Sequence, residues 1–360
     1  MYRAPLIREK TKSVRWLMVL IGLMALGNHA YSQPAIEAGA SEVNITPPVG
    51  FPHYRGFSTG VHDSLYAKTL YFKQGEVEMA LVECDLLWVS RELSKLSRLM
   101  TQQELGIPFG HVIIAGTHSH TTPAYDEDIL ELNEHVRTGE VSTRMEDGSE
   151  YIEWLCRRIL QSVRQAKAVA TEVVLSAGST VVGDLSFNRR FVMADGRVTT
   201  NPGVLNPEAL YPEGPIDPEL GMLFFKSPSG TITSGLFNFS NHTDTKGGTE
   251  FSADFPAFLS RELKTEFGSG FISVYGQGAC GNINHVNIRS RDRLTSSQIG
   301  RGLAQAILKN NHKLTDLKNG ILKVQSEIVH APLQHFTAQD LQWANQAQPE
   351  NLYGESAFFE

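Results

Sequence analysis

The stretch HVIIAGTHSHTTPAY, His111–Tyr125, decides how the chain is read. Its first half is a continuous apolar run closed by Gly116. That is the pattern of a strand buried on both faces, and such strands belong to layered α/β architectures. Its second half leaves the core and at once places two imidazoles, His118 and His120, one residue apart. In extended backbone, residues i and i+2 face the same side. Both rings are therefore expected in one pocket at the carboxyl end of the strand, where open α/β sheets commonly bind ligands. Neutral imidazole is a good zinc ligand. The hydroxyls of Thr117, Ser119, Thr121 and Thr122 are expected to fix the ring tautomers. Two hydrogen-bonded histidines at a loop edge would give the same sequence signal.

The flanking sequence repeats the alternation of strands and helices. TLYFK (69–73) and VEMALVEC (77–84) read as strands joined by a tight turn at Gly75. Ser90 caps a helix with Leu93, Leu96 and Met100 on one face, ending before Gly106. Residues 126–149 are acidic and polar without a period, an inserted loop. A helix carrying Ile152, Leu155, Ile159 and Val163 follows. Residues 171–183 read as a strand or a hairpin, and 192–218, with four prolines, mainly as loop. Residues 221–227 and 231–240 form a hairpin across Pro228-Ser229-Gly230. Asp254 caps a helix with Pro256 in its first turn, running to Gly268. FISVYG (271–276) is a strand, Ile299, Leu303 and Ile307 mark a helix, and 321–333 a last strand. The segment from about 336 reads as helical. The fold class expected is α/β: layered mixed β-sheets flanked by helices, with a metal site at the ends of several strands.

Composition sets the outer limits. The chain has 360 residues, 41% hydrophobic and 20% charged, an ordinary globular balance. Residues 1–32 read as a signal peptide. Arg3, Arg8, Lys10, Lys12 and Arg15 precede the apolar WLMVLIGLMALG, and Ala30-Tyr31-Ser32 supplies small residues for cleavage. The apolar run is short for a membrane span; the alternative reading is an uncleaved anchor. Export to the periplasm, the cell surface or the medium is thus expected, with no stable membrane span after cleavage. Cleavage moves the net charge from −7 to −11, because the segment carries five basic residues and one acidic one. An acidic chain of this kind argues against nucleic acid as partner. Cys84, Cys156 and Cys280 are too few for a disulfide framework; one bridge or buried free thiols are both compatible with them.

Two further strand ends carry chemistry. TITSGLFNFSNHTDTKGG (231–248) leaves its apolar run at Asn241-His242, with Asp244 as a further ligand, an orienting group or a turn former. FISVYGQGACGNINHVN (271–287) ends in small residues and amides, Asn282, Asn284, His285 and Asn287. Those residues suit substrate binding or oxyanion stabilisation, or simply an Asn/Gly turn. In SFNRRFV (186–192), Arg189 or Arg190 is a candidate for a carboxylate or carbonyl partner, although solvated arginines are the commoner case. No GxSxG elbow, Walker loop or HExxH helix is present.

Taken in order, AGASEVNITPPVG, GVHDSLYAKTLYF, GTHSHTTPAY, the Asn188-Arg189 pair, the His242 strand end and GQGACGNINHVN resemble the catalytic domain of the neutral/alkaline ceramidase family, across residues 38–290. The resemblance implies a secreted zinc amidase that splits an N-acylsphingosine into sphingosine and fatty acid. It implies His118 and His242 as zinc ligands. It implies His120 and Arg189 as catalytic groups beside the metal; Asn282 and His285 are the substrate-binding candidates of the third strand end. The family completes its zinc shell with a later Glu and Tyr, which have no clear counterpart before Glu360. Its GDxSPN- or GNxSPN-like loop carries a serine where this chain has Asn284. Asn cannot act as a nucleophile, so activity is expected to rest on metal-activated water. The partner the resemblance implies is a lipid-like or other acyl-amide small molecule. A hydrolase of another amide or ester, or a non-catalytic relative that keeps the pocket, fits the same residues. The expected division is a signal peptide over 1–32, a zinc hydrolase domain over 33–335, and the start of a carboxyl-terminal portion, cut short, over 336–360.

Overall fold

A computed structural model describes residues 34–53, 55–125, 149–318, 320–332 and 335–346. The signal segment and the acidic insertion expected at 126–149 lie outside the described residues, save the insertion's last residue, which begins a helix. Two compact units divide between Val324 and Gln325. The second contains one described helix, Ala338–Gln346. Apart from residues 325–332, the fold and site described below belong to the first.

Its centre is a pair of sheets. The first combines β1 (Glu37–Asn44), β2 (Tyr66–Gln74), β3 (Val77–Cys84), β4 (Val112–Gly116) and β5 (Thr171–Glu172), in the order β4-β3-β2-β1-β5. β4 runs parallel to β3, and the other neighbours are antiparallel. The second combines β6 (Val174–Val181), β10 (Glu219–Lys226), β11 (Ile232–Phe239), β12 (Ile272–Gln277) and β13 (Thr315–Asp316), in the order β12-β11-β10-β6-β13. β12 is parallel to β11. A separate three-stranded sheet of β7 (Arg190–Met193), β8 (Val198–Thr200) and β9 (Ala209–Pro212) is inserted in sequence between β6 and β10, inside the stretch expected to be mainly loop.

Strand alternation explains how the layers stack. From the first sheet, Ala38, Leu70 and Phe72 face Leu175, Phe225 and Val274 of the second, forming a core between the sheets. The opposite face of the first sheet, with Tyr71, Ala80 and Val82, packs on helices α1 (Arg91–Leu105) and α2 (Ser149–Ala168). The opposite face of the second, with Met222, Phe224, Phe237 and Phe239, packs on α3 (Phe255–Phe267) and α4 (Ser296–Asn310). The architecture is therefore four layers, α/β/β/α, with the inner strands apolar on both faces because both are covered, while the edges are more open: Ile113 of β4 is exposed.

The caps fall where the sequence places them. Ser90 accepts from the Leu93 N–H, and Gly106 closes α1 at φ 74°. Asp254 accepts from the Phe255 N–H at the start of α3. Gly39 lets β1 touch α2: a Cβ there would lie 2.1 Å from the Ala166 carbonyl oxygen.

Two strand expectations are corrected. Residues 171–183 are neither one strand nor a hairpin, since β5 pairs in the first sheet and β6 in the second. The break near Val173 carries the chain from one layer to the other. Residues 321–332 form no strand; their apolar residues are mostly exposed, Ile328 and Val329 above all. The edge of the second sheet is taken instead by the two residues of β13, against β6.

Candidate metal centre

β4 is an edge strand of the first sheet; β11 and β12 are neighbours at one edge of the second. The carboxyl ends of all three converge, and each delivers part of the site. After β4 come His118 and His120. After β11 comes His242, and after β12 the segment 278–285.

The three imidazoles meet. Ring centroids lie 5.0 Å apart for His118–His120, 4.6 Å for His118–His242 and 5.0 Å for His120–His242. One ligand atom from each falls within 4.8 Å of the others, so the cluster could hold a metal ion. His120 Nε2 and His242 Nε2 face each other at 3.1 Å. Two nitrogens on one tetrahedral zinc, with bonds of ~2.0–2.1 Å, would stand about 3.3 Å apart. Such a pair either shares a proton or turns its lone pairs to a common cation.

The tautomers favour the cation. His118 Nδ1–H donates to the Leu87 carbonyl at 2.8 Å, and His242 Nδ1–H to the Cys280 carbonyl at 3.3 Å. A carbonyl only accepts, so both Nε2 atoms keep lone pairs, the arrangement of metal-binding histidines. The anticipated hydroxyls do not touch the rings. Thr117 Oγ1 donates to Asp85 Oδ1 at 3.4 Å, Thr122 Oγ1 to the Ser119 carbonyl at 3.1 Å, and Ser119 and Thr121 both to the Ser252 carbonyl. Their role is to hold the loop.

The backbone also departs from the expected strand geometry. His118 has φ 64°, so the two histidines do not share a side by β alternation. A left-handed residue turns the chain, and the rings converge around that turn. The His118 N–H donates to the Leu86 carbonyl at 3.0 Å, which closes it. Two bonds then tie this loop to the His242 segment: the His120 N–H to the Thr243 carbonyl at 3.1 Å, and Thr243 Oγ1 to the Thr117 carbonyl at 2.6 Å. A further clamp comes from Asp63. Its carboxylate accepts from Ser252 Oγ at 2.6 Å and the Ala253 N–H at 2.8 Å.

Burial disfavours the charged forms of His120 and His242. It pushes His120 down to about 3, with His242 adding to the effect and Asp244 opposing it. Burial likewise lowers His242, against the charge of Asp244. Neutral imidazole is the form that binds metal.

The other candidates surround this cluster in different ways. Asp244 stands outside the ligand set and accepts from His285 Nδ1 at 3.0 Å, so it orients a buried His285. The Arg189 guanidinium donates to the Gly281 carbonyl at 3.0–3.2 Å, and its N–H to the Asn282 carbonyl at 2.8 Å. Arg190 is instead paired with Glu213. Asn282 Nδ2 donates to the Pro215 carbonyl at 3.3 Å. Asn284 is buried and fully engaged, donating to Asn201 Oδ1 at 3.0 Å and accepting from the Val286 N–H at 2.9 Å. All three cysteines are free, Cys84 and Cys156 buried. The residues the sequence did not disclose are Leu87 and Cys280, which act through backbone carbonyls and carry no side-chain signature.

Four layers with an imidazole cluster at the sheet edges define the class: an α/β/β/α protein with a metal-type centre. The neutral ceramidase from Pseudomonas aeruginosa superposes with a TM-score of 0.61 at 17% identity, over 77% of this chain and 44% of that one. A structure of ceramidase complexed with C2 superposes with a TM-score of 0.59 at 19% identity, over the same shares. The fold is that of neutral ceramidase, and the match spans less than half the length of those chains. No protein-family model matches this chain, and no curated protein matches it in sequence.

Proposed function

We propose that this chain is an exported zinc-dependent hydrolase of acyl amides, with a ceramide-type lipid amide as its substrate class. The observation that supports this most is the pair of Nδ1–H bonds to the Leu87 and Cys280 carbonyls, which leaves His118 and His242 with inward lone pairs beside a third imidazole. His118 and His242 would hold the ion. A zinc ion there supplies Lewis acidity, which polarises a carbonyl and acidifies water.

The chain's own residues do the rest. His120, beside the two ligand imidazoles, would carry a proton from water to the leaving amine, and the burial that lowers its basicity is the cost this role must overcome. Arg189, anchored on Gly281, offers positive charge toward a developing oxyanion. Asn284 has both ends of its amide committed and supplies no nucleophile. That commitment favours water as the attacking group. It also supports a second reading, hydrolysis of a different amide or ester on the same centre. Asn282 and the Asp244–His285 pair would line the substrate's path.

The test is turnover of the purified chain against N-acylsphingosines of graded acyl length and against short soluble amides. Hydrolysis of the lipid amides that His120→Ala slows by ~10²–10⁴-fold supports the proposal. Hydrolysis of the soluble amides alone selects the second reading. No zinc-dependent hydrolysis of either would refute both.

A further inference from the structure

A cavity of about 220 Å³ opens between α3 and the strands of the first sheet. Its strand wall carries Glu42, Lys68 and Asp85; its helix wall carries Ser260, Arg261 and Lys264, which helical spacing puts on one face. The hydrogen-bonding capacity of these walls is unevenly matched. The acidic groups already have donors. Asp85 accepts from the Tyr66 N–H at 2.8 Å and from Thr117 Oγ1. Asp63, at the rim, accepts from Ser252, Ala253 and His62. Glu42 is paired with Lys264.

The donors are not matched in the same way. Lys68 is 5% exposed and lines the cavity, yet its ammonium makes no hydrogen bond or ion pair among the described residues. Its cross-strand neighbour Glu83 does not serve as counter-ion. Burial, aided by the Asp85 charge, pushes Glu83 up to about 8, so it is mostly protonated at neutral pH. Arg261 stacks on the Phe258 ring and has no carboxylate partner among the described residues. The hydroxyls of Ser64 and Ser260 donate to no described group. Lys68 acts on the Asp85 carboxyl across the cavity and lowers it against burial, but the two make no hydrogen bond or ion pair among the described residues, so the Lys68 ammonium still has donors to offer. Lys68, Arg261 and the two serine hydroxyls thus offer donors to the cavity that no described group takes up.

We infer that the cavity between α3 and the ends of β1–β3 binds a small oxyanion, phosphate or carboxylate, held by Lys68 and Arg261 with the two serine hydroxyls. Arg261 supplies the planar fork that matches such a group, and Lys68 a point charge from below. The inference does not rest on the histidine centre.

The experiment is isothermal titration calorimetry of the full chain with inorganic phosphate and, separately, acetate, at constant ionic strength. Wild type, Lys68→Met, Arg261→Gln and His118→Ala are compared. Expected is saturable one-site binding of at least one anion, weakened tenfold or more by Lys68→Met and by Arg261→Gln and retained in His118→Ala. Which anion saturates identifies the source of the oxyanion. Arg261 is exposed, so its variant is informative even where Lys68→Met does not fold. Absence of saturable binding of either anion would overturn the inference. So would binding that Arg261→Gln leaves unchanged, or binding that His118→Ala removes.

Discussion

Removing the Asp63 carboxylate should loosen the metal centre from a distance. Asp63 accepts from Ser252 Oγ, the Ala253 N–H and His62 Nδ1. Ser252 in turn carries the HxH loop: its carbonyl accepts from the Ser119 and Thr121 hydroxyls, and its N–H donates to the Thr121 carbonyl at 2.9 Å. The His62 bond is partly exposed and contributes little. The other two are part-buried and charge-assisted, at ~1.5–3 kcal/mol each, and Asp63→Ala also strands the N–H of the buried Ala253. These terms overlap, so about 3–4 kcal/mol is expected for Asp63→Ala. Asp63→Asn keeps one oxygen for Ala253 and offers an N–H to the Ser252 hydroxyl, so about 1 kcal/mol is expected. The assay is urea unfolding of metal-free protein, which avoids stabilisation by bound ion. With a slope of about 3 kcal/mol/M, Asp63→Ala shifts the midpoint down by about 1 M and Asp63→Asn by about 0.3 M. Equal shifts for the two variants, or a shift under about 0.3 M for Asp63→Ala, would refute the clamp.

Two other perturbations act nearer the imidazoles. Gly278→Ala places a Cβ 2.2 Å from Ser240 Oγ and 3.0 Å from the Ser240 backbone. Thermal melting should show a loss of ~1–3 kcal/mol from this overpacking, while Gly281→Ala, with open space at its Cβ, leaves the melting temperature within a degree or two. The second is the pH response of metal-free protein. The folded pKa of His120 lies near 3, below the ordinary value of 6.5, so the unfolded chain binds the proton more readily. The stability from neutral His120 is therefore complete above about 6.5 and declines as pH falls toward 3. His242 acts in the same direction. His120→Gln should flatten the decline in urea midpoint between pH 6.5 and 4; an unchanged slope would show that His120 protonates freely in the fold.

Much of this was legible because the signals were local. The runs around Leu70, Val82 and Ile113 gave strands, and Ser90, Gly106, Asp254 and Gly268 gave helix ends, through cap chemistry that needs only neighbouring residues. The imidazole cluster was legible because each histidine directly follows an apolar strand. What stayed hidden depends on partners far away in sequence. Val173 passes between sheets because Thr171–Glu172 finds β1 and Val174–Val181 finds β10, a choice that no window around 171–183 contains. Residues 321–332 have strand-like alternation but find no edge to pair with. The positive φ of His118 and the carbonyls of Leu87 and Cys280 leave no trace in residue type, since backbone acceptors exist at every position.

The central claim is that His118 and His242, brought from different sheets, share one divalent cation. Metal content by plasma mass spectrometry, after equilibration of the full chain with zinc and removal of free ion, tests it directly. The expected result is about one zinc per chain in wild type, near-complete loss in His118→Ala and in His242→Ala, and retention in His120→Ala and Asn284→Ala. Wild-type zinc content in both His118→Ala and His242→Ala would contradict it.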